Sequence, residues 1–351
     1  MTRIITIDQK DKWNEYIENS FQSDFYHTWS YHSIDQTGDP LLFVYEENNL
    51  FIAFPLIKRK IDNSPYFDLT SVYGYTGPVS NTKFDEINEL LIKNFQNEFL
   101  TFLQKGNYVS VFSRLNPFFN QESIVQCFGG LYYNGKTVAI DLTSSHKEQT
   151  SNYRRAFHGN IKKLRKLGYI VKEGNSIEDI RTFVSIYTEN MDRIGASESY
   201  YFSEDYFRNI LESKEYQSKL LMAYNDDDLA VAGMIITCIN GIIQAHLLST
   251  RTEFLHLSPA KLLVDEATII GRELNMKYYH LGGGVGFKED SLFNWKSGFS
   301  DLHLPYYTWR YIVNEPVYNS LLEKANIEKS AEIDFFPLYR SGFRTSPILV
   351  E

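Results

Sequence analysis

The stretch from His280 to Ser300 reads HLGGGVGFKEDSLFNWKSGFS and gathers residues that could do chemistry. Three glycines follow a strand-like run, a fourth comes two residues later, and lysines stand at 288 and 296. Glycines beside a lysine raise the question of a phosphate cradle. A P-loop needs glycine, four residues, then Gly-Lys-Ser/Thr, so that amides and the lysine surround one phosphate. Here Phe287 separates Gly286 from Lys288, and Glu289 takes the hydroxyl position. The dinucleotide fingerprint needs G-x-G-x-x-G opening a helix early in a βαβ unit. This run has another spacing and stands late in the chain. The glycines are therefore expected to turn the backbone or bring it close to a ligand, and the weight shifts to Lys296. Lys288 has the weaker claim, because Glu289 and Asp290 stand beside it to neutralise it.

A second charged stretch is NYRRAFHGNIKKLRKLGY. No acidic residue occurs between Glu148 and Glu173, and Arg154, Arg155, Lys162, Lys163, Arg165 and Lys166 make one strongly basic helix. It reads either as a solvated linker helix or as a site for a phosphorylated or nucleic-acid group, since local positive charge draws phosphate even on an acidic protein. No Ser-His-Asp order and no H-E-x-x-H spacing stands out, so no metal is expected.

The composition bounds these readings. A chain of 351 residues suggests two domains, and 43% hydrophobic with 23% charged residues is that of a globular protein able to bury a real core. The net charge of −9 argues against a protein that coats nucleic acid, so no DNA partner is expected. The 25 Tyr and 25 Phe suggest aromatic cores or an extended groove. Only Cys127 and Cys238 are present, both in apolar, strand-like runs, which fits a reducing compartment. The N-terminus has no apolar stretch long enough for a signal peptide or a membrane span, and a cytoplasmic location is expected.

The elements that must position these residues come as a repeat. Leu41–Ile57, LLFVYEENNLFIAFPLI, aligns without a gap on Leu220–Ile236, LLMAYNDDDLAVAGMII, with six identities in 17 positions. Each is an apolar run, a polar tip and a second apolar run, the pattern of a β-hairpin. A further strand, a helix and a strand follow each hairpin. The first helix is expected over Phe84–Gln104 from its three- and four-residue apolar spacing. The second is SPAKLLVDEATIIGREL, with Ser258 as N-cap and Pro259 in the first turn. The boundaries expected are a first domain at 1–145, a second at 146–316 opened by the basic helix, and a C-terminal segment at 317–351 that packs back on the first.

That order resembles the GCN5-related N-acetyltransferase (GNAT) fold, and two such units joined by a basic helix resemble the FemABX peptidyl and aminoacyl transferases. SVYGYTGPV (71–79) looks like the first-domain YGY-GP signature, and IYTENMDRIGASESYYFSEDYFRNIL (186–211) like the T-x-x-R … Y-F segment. HLGGG followed by SLFNWKSGFS is similar to the GG … FK-x-x-F ending. The resemblance implies an α/β protein of two tandem GNAT-like domains, each a mixed central sheet flanked by helices, with a cleft between them. It also implies transfer of an amino acid or other acyl group onto an amine, in many members on a peptidoglycan precursor and from aminoacyl-tRNA. Two departures matter. The R-x-x-G-x-G/A loop that cradles coenzyme A in ordinary GNAT enzymes is replaced by RTEFLHLSPAKLL, without the glycines and with Pro259 removing an amide. The lysine that meets the precursor's phosphates in peptidoglycan-directed members falls where this chain has Ile34-Asp35.

Transfer to an amine passes through a tetrahedral oxyanion, which needs positive charge and a route for the amine's proton. Lys296, flanked by Trp295 and Phe299 as an aromatic wall, is the expected catalytic cation. His246, on the same strand face as Gln244 by alternation, is the candidate proton acceptor. Arg193 suits a carboxylate or phosphate. Tyr200, Tyr201 and Tyr75 are expected to line the substrate site, with His27 and Tyr31 facing the acceptor from the first domain. Arg154, Arg155, Lys162 and Lys163 are the expected phosphate or tRNA contacts. No permanently bound cofactor is expected; aminoacyl-tRNA or acyl-CoA is the co-substrate. The acceptor is an amine of a cell-envelope precursor, glycan or small metabolite, with peripheral contact to a membrane if it is lipid-linked. The alternatives are an acyl-CoA-dependent N-acyltransferase of polysaccharide or lipid assembly, and a catalytically silent ligand-binding protein.

Overall fold

A computed structural model describes residues 1–328 and 334–343 of the chain. The strands run β1 (Thr2–Thr6), β2 (Asp39–Glu47), β3 (Leu50–Lys60), β4 (Phe67–Thr70), β5 (Val79–Ser80), β6 (Tyr108–Arg114), β7 (Leu131–Asp141), β8 (Ile170–Gly174), β9 (Gln217–Tyr224), β10 (Ala230–Ile239), β11 (Ile242–Thr250), β12 (Tyr278–Gly282) and β13 (Leu302–Ile312). They fall into two compact units. The first holds residues 1–134 and the described residues from 305 onward; the second holds 135–304.

The expected hairpins are β2–β3 and β9–β10. Their registers coincide: 41, 42, 43 and 44 pair with 56, 55, 54 and 53, and 220, 221, 222 and 223 pair with 235, 234, 233 and 232. The ungapped alignment is thus a structural repeat, not a chance likeness of two hairpins. At the first tip Asn48 and Asn49 both have positive φ, 52° and 63°. That is the conformation of the tight turn whose twist matches the strands, and asparagine tolerates it.

Each unit repeats one order of strand partners. In the first, β1-β2-β3-β4 pair antiparallel, β4 runs parallel to β6, and β6 pairs antiparallel with β13; β5 adds to β3. In the second, β8-β9-β10-β11 pair antiparallel, β11 runs parallel to β12, and β12 pairs antiparallel with β7. A parallel pair needs a crossover, and a helix supplies it in each case: Glu89–Lys105 and Ala260–Glu273. The first buries Leu91, Phe95, Phe99 and Leu103, one residue per turn. It begins five residues after the expected Phe84, because Phe84–Glu86 forms a separate 3₁₀ turn and Asn88 caps the helix. The second opens at Pro259; Ser258 is a left-handed residue (φ 52°) ending the 3₁₀ segment Thr252–Leu257, not the expected N-cap.

The strand partners redraw the expected boundaries at 145 and 316. β13 completes the first unit's sheet on β6, through pairs 308–312 with 114–110, although it follows the second repeat in sequence. Residues 138–141 of β7 complete the second unit's sheet on β12. Within the first unit, Tyr318, Leu321, Leu322 and Tyr339 share a core with Ile61 and Val109. Arg59 Nε (2.7 Å), Arg340 Nε (2.6 Å) and the Tyr339 hydroxyl (3.0 Å) all donate to the fully buried Asp68. Of the expected 317–351 segment, residues 329–333 and 344–351 lie outside the described residues. The second core packs Phe157, Ile161 and Leu164 of the basic helix against Leu262, Leu263 and Ala267 of the central helix and Val138, Ile140 and Tyr279 of the sheet. Cys238 is buried on β10, whereas Cys127 is exposed in a 3₁₀ turn and not, as expected, in a strand.

Candidate active site

In the second unit β12 ends at Gly282, and the chain turns there because Gly282 has φ 78°, which glycine adopts without a Cβ clash. The following residues must pass close to their own continuation. A Cβ on Gly284 would stand 2.2 Å from both Asp290 Oδ1 and the Lys288 carbonyl. Asp290 organises the turn: Oδ2 accepts from Val285 N–H (2.9 Å) and Oδ1 from Phe293 N–H (2.9 Å), capping the short helix Ser291–Lys296. At that helix's end, Lys296 donates from Nζ to the Gly283 carbonyl at 2.6 Å. The glycine run is thus a turn that holds the lysine, as the failed phosphate spacings suggested. Glu289 pairs with Lys136 (2.9 Å) and Asp290 serves the cap, so neither neutralises Lys288 as expected.

Burial pushes the Lys296 ammonium down to about 8, partly offset by the Asp290 carboxylate. The aromatic residues beside it in sequence pack together: Trp295 meets Phe299 edge-on at 5.1 Å, and Phe157 packs on both. Phe299 is fully buried and forms the back of this wall, while Trp295 is half-buried. Lys261, at the start of the central helix, lies over the Phe157 ring at 4.4 Å and is also lowered by burial. The start of the basic helix is tied to the same turn, Arg154 N–H donating to the Gly298 carbonyl at 2.9 Å.

One residue of the site was not singled out from sequence. His280 on β12 pairs in parallel register with Gln244 on β11, and its Nδ1 lies 2.8 Å from Gln244 Oε1. Burial first, and the Lys296 charge second, lower it to about 3, so it stays a neutral imidazole. Its place two residues before the first glycine of the run was the available signal. His246, the expected proton acceptor, is buried with Nε2 2.9 Å from the Tyr206 hydroxyl. Burial lowers it to about 3, so it is neutral at pH 7.

The remaining expected residues divide. Arg193 ends the helix Ile177–Ile194 and donates to the Asn190 side chain. Near that helix end, the Tyr187 hydroxyl holds the Tyr200 carbonyl (2.9 Å) and the exposed Tyr201 donates to Asp192 (2.9 Å). In the first unit, His27 is fully buried: Nδ1 accepts from Asp24 N–H (3.0 Å) and Nε2 lies 3.1 Å from the Thr76 carbonyl. Burial lowers it to about 4. Tyr31 is also buried, its hydroxyl donating to the Tyr73 carbonyl (3.0 Å). These two hold the 71–79 loop from beneath and do not face an acceptor as expected, because both side chains are spent on that loop. Half-buried Tyr75 packs edge-on against Tyr26 (5.9 Å) and Tyr306 (5.4 Å).

The basic helix, Arg155–Lys166, buries Phe157, Ile161 and Leu164 and turns Arg155, Lys162, Lys163 and Lys166 outward. Arg165 is committed to Asp265 (2.9 Å) and Glu266 (3.3 Å). Arg154, Arg155, Lys162 and Lys163 have no side-chain partner among the described residues. Two of these cations stand at a helix N-terminus, against the dipole, where they add to its pull on anions. Among the described residues no cluster of three His, Cys, Asp or Glu could hold a metal, and no helix is long and apolar enough to cross a membrane.

Residues 151–297 match the profile of an acetyltransferase (GNAT) domain. No curated protein sequence matches the chain. Among solved structures, FemX aligns over 91% of this chain and 99% of its own, with a TM-score of 0.70 and 11% identity. L-PGS from Bacillus licheniformis aligns over 90% of this chain and 96% of its own (TM-score 0.57, 16% identity). A tandem GNAT protein from the clavulanic acid biosynthesis pathway aligns over 90% and 99% (TM-score 0.51, 8% identity). At these identities the likeness is one of fold: two tandem GNAT-like domains, as in FemX.

Proposed function

We propose that the chain is an acyltransferase that moves an aminoacyl group from aminoacyl-tRNA onto an amine, with Lys296 at the reacting carbonyl. The observation that carries this reading is the half-buried Lys296, held by Gly283 at the end of β12 and pushed down to about 8, inside a GNAT-type domain. At pH 7 about nine-tenths of such lysines are still charged. The acceptor amine attacks the ester carbonyl, the C–N bond forms, and the carbonyl oxygen becomes an oxyanion that the ammonium stabilises. The ester C–O bond then breaks. The leaving ribose oxygen takes a proton from Lys296, which regains one from the new ammonium nitrogen. The aromatic wall of Trp295, Phe157 and Phe299 keeps water from competing with the amine.

Two features favour tRNA over coenzyme A as donor. At the start of the central helix Pro259 has no N–H, and the amides of Lys261 and Leu262 are already bonded to Ser258 O (3.1 Å) and Pro259 O (2.9 Å). In the first unit the Asn88 side chain caps the equivalent helix and Glu89 occupies its first turn. Neither helix start carries the glycine-rich loop of a pyrophosphate cradle, and a proline in one and a side-chain cap with an acidic first turn in the other take its place. The unpaired stripe Arg154, Arg155, Lys162 and Lys163 would instead meet a nucleic-acid backbone. A charged-tRNA donor also places the reaction in the cytoplasm. The acceptor is an amine of an envelope precursor, glycan or small metabolite. Ile34-Asp35, in place of a phosphate-binding lysine, disfavours a nucleotide-linked precursor.

The match to an acetyltransferase domain favours a second reading, an acyl-CoA-dependent N-acyltransferase. The test is to offer labelled acetyl-CoA and tRNA charged with labelled amino acids separately, with a panel of amines. Transfer from tRNA alone supports the first reading and transfer from acetyl-CoA alone the second. Binding of an amine with transfer from neither donor would leave a ligand-binding protein.

A further inference from the structure

Among the described residues, the arginines of the first unit other than Arg114 are committed. Arg3 meets Glu46 at 3.2 Å, Arg59 and Arg340 meet Asp68, and Arg310 meets Asp334 at 2.8 Å. Arg114 differs. It is half-buried at the end of β6, yet its guanidinium has neither an ion pair nor a hydrogen bond among the described residues. It lies instead beside two rings, 5.0 Å from the Phe112 centroid and 6.0 Å from that of Tyr73. Rings fix the plane of a guanidinium without using its N–H groups. A half-buried cation without a counter-ion is costly unless something else meets its donors.

The backbone around this arginine is pinned. Arg114 N–H donates to Ser71 Oγ (3.2 Å), and Thr76 N–H donates to the Arg114 carbonyl (3.1 Å), so both flanks of the 71–76 loop are bound to it. Tyr73 sits in that loop, 45% exposed, its carbonyl held by the Tyr31 hydroxyl. Gly74 (φ 124°) packs so close to Tyr26 that a Cβ would lie 2.0 Å from its ring. An arginine with unengaged donors, placed beside two rings and an accessible tyrosine on a pinned backbone, suits a carboxylate or phosphate.

We propose that Arg114, with Tyr73, forms an anion subsite in the first unit that takes a carboxylate or phosphate group of a ligand. Its two parallel N–H donors match either anion. The subsite rests on geometry in the first unit alone and stands or falls apart from the transfer reaction, since its test reads binding.

The experiment is titration of the full chain at low salt, followed by the Arg114 Nε–H resonance, which is assigned by its loss in Arg114→Lys. The probes are acetyl-alanyl-alanine, its C-terminal amide and uridine 5′-monophosphate. A shift with the free acid and none with the amide identifies a carboxylate subsite; a shift with the nucleotide alone identifies a phosphate subsite. Arg114→Gln should weaken the responding probe at least about tenfold in calorimetry, with Arg114→Lys intermediate and Lys296→Ala unaffected. Thermal melts of both Arg114 variants verify that they fold. No shift with any probe, or equal affinity in folded Arg114→Gln, overturns the proposal.

Discussion

Lys296 brings a charge into a half-buried site, and a lysine in that setting titrates where a surface lysine does not. Its charged form predominates below about pH 8. If the ammonium stabilises the oxyanion and protonates the leaving oxygen, kcat should fall as pH rises through about 8. Lys296→Arg, which keeps its charge, should lose that fall when assayed with the same acceptor amine. Lys296→Ala should lower kcat about a hundredfold or more, within the range expected for loss of one oxyanion partner, without lowering the melting temperature. The sign for stability is separate. The folded-state value lies below the ordinary lysine value, so the unfolded chain binds more protons between about 8 and 10.5. The contribution of this group to stability is therefore full above about 10.5 and is lost as pH falls toward 8. Lys296→Met should melt above the native chain at pH 7, and the gap should close by pH 10.5. Lys296 stands out in the sequence by its place between Trp295 and Gly298-Phe299. His280 does not, because its pairing with Gln244 depends on the parallel register of two strands 36 residues apart.

Among the elements, the Gly282–Lys296 segment makes the position of Lys296 depend on a cap. Asp290→Ala removes the N-cap of Ser291–Lys296 and the tie to Val285, and should cost about 1–2 kcal/mol in urea unfolding. It also removes the carboxylate that raises Lys296, so the pH break in kcat should move below about 8. Gly284→Ala should act likewise, since its Cβ meets backbone at the Lys288 carbonyl as well as the cap. The hairpins and crossover helices were legible because their apolar spacing is local. The start of the central helix was not: Ser258-Pro259 has the composition of a cap, yet the preceding 3₁₀ segment pulls Ser258 into a left-handed conformation.

For the molecule as a whole, charge placement outweighs net charge. Despite −9 overall, the outward stripe of the basic helix should bind uncharged tRNA in a salt-dependent way. Replacing Arg155, Lys162 and Lys163 by glutamine should make the slope of log K against log salt shallower by about 0.7–0.9 for each phosphate no longer neutralised, measured by filter binding. In the first unit, Asp68 gathers Arg59, Arg340 and Tyr339. Asp68→Ala would strand two guanidiniums and should cost about 3–5 kcal/mol in urea unfolding.

The sequence by itself determined the repeat and the element order, because hydrophobic spacing and ungapped identity are written along the chain. Tertiary structure alone decided where each unit ends. β13 follows the second repeat but pairs with β6, and no local pattern records which distant edge a strand will complete. It also decided which candidates are spent: His27 and Tyr31 carry the residue types of a binding site, and only their burial beneath the 71–79 loop shows that their polar atoms already have partners.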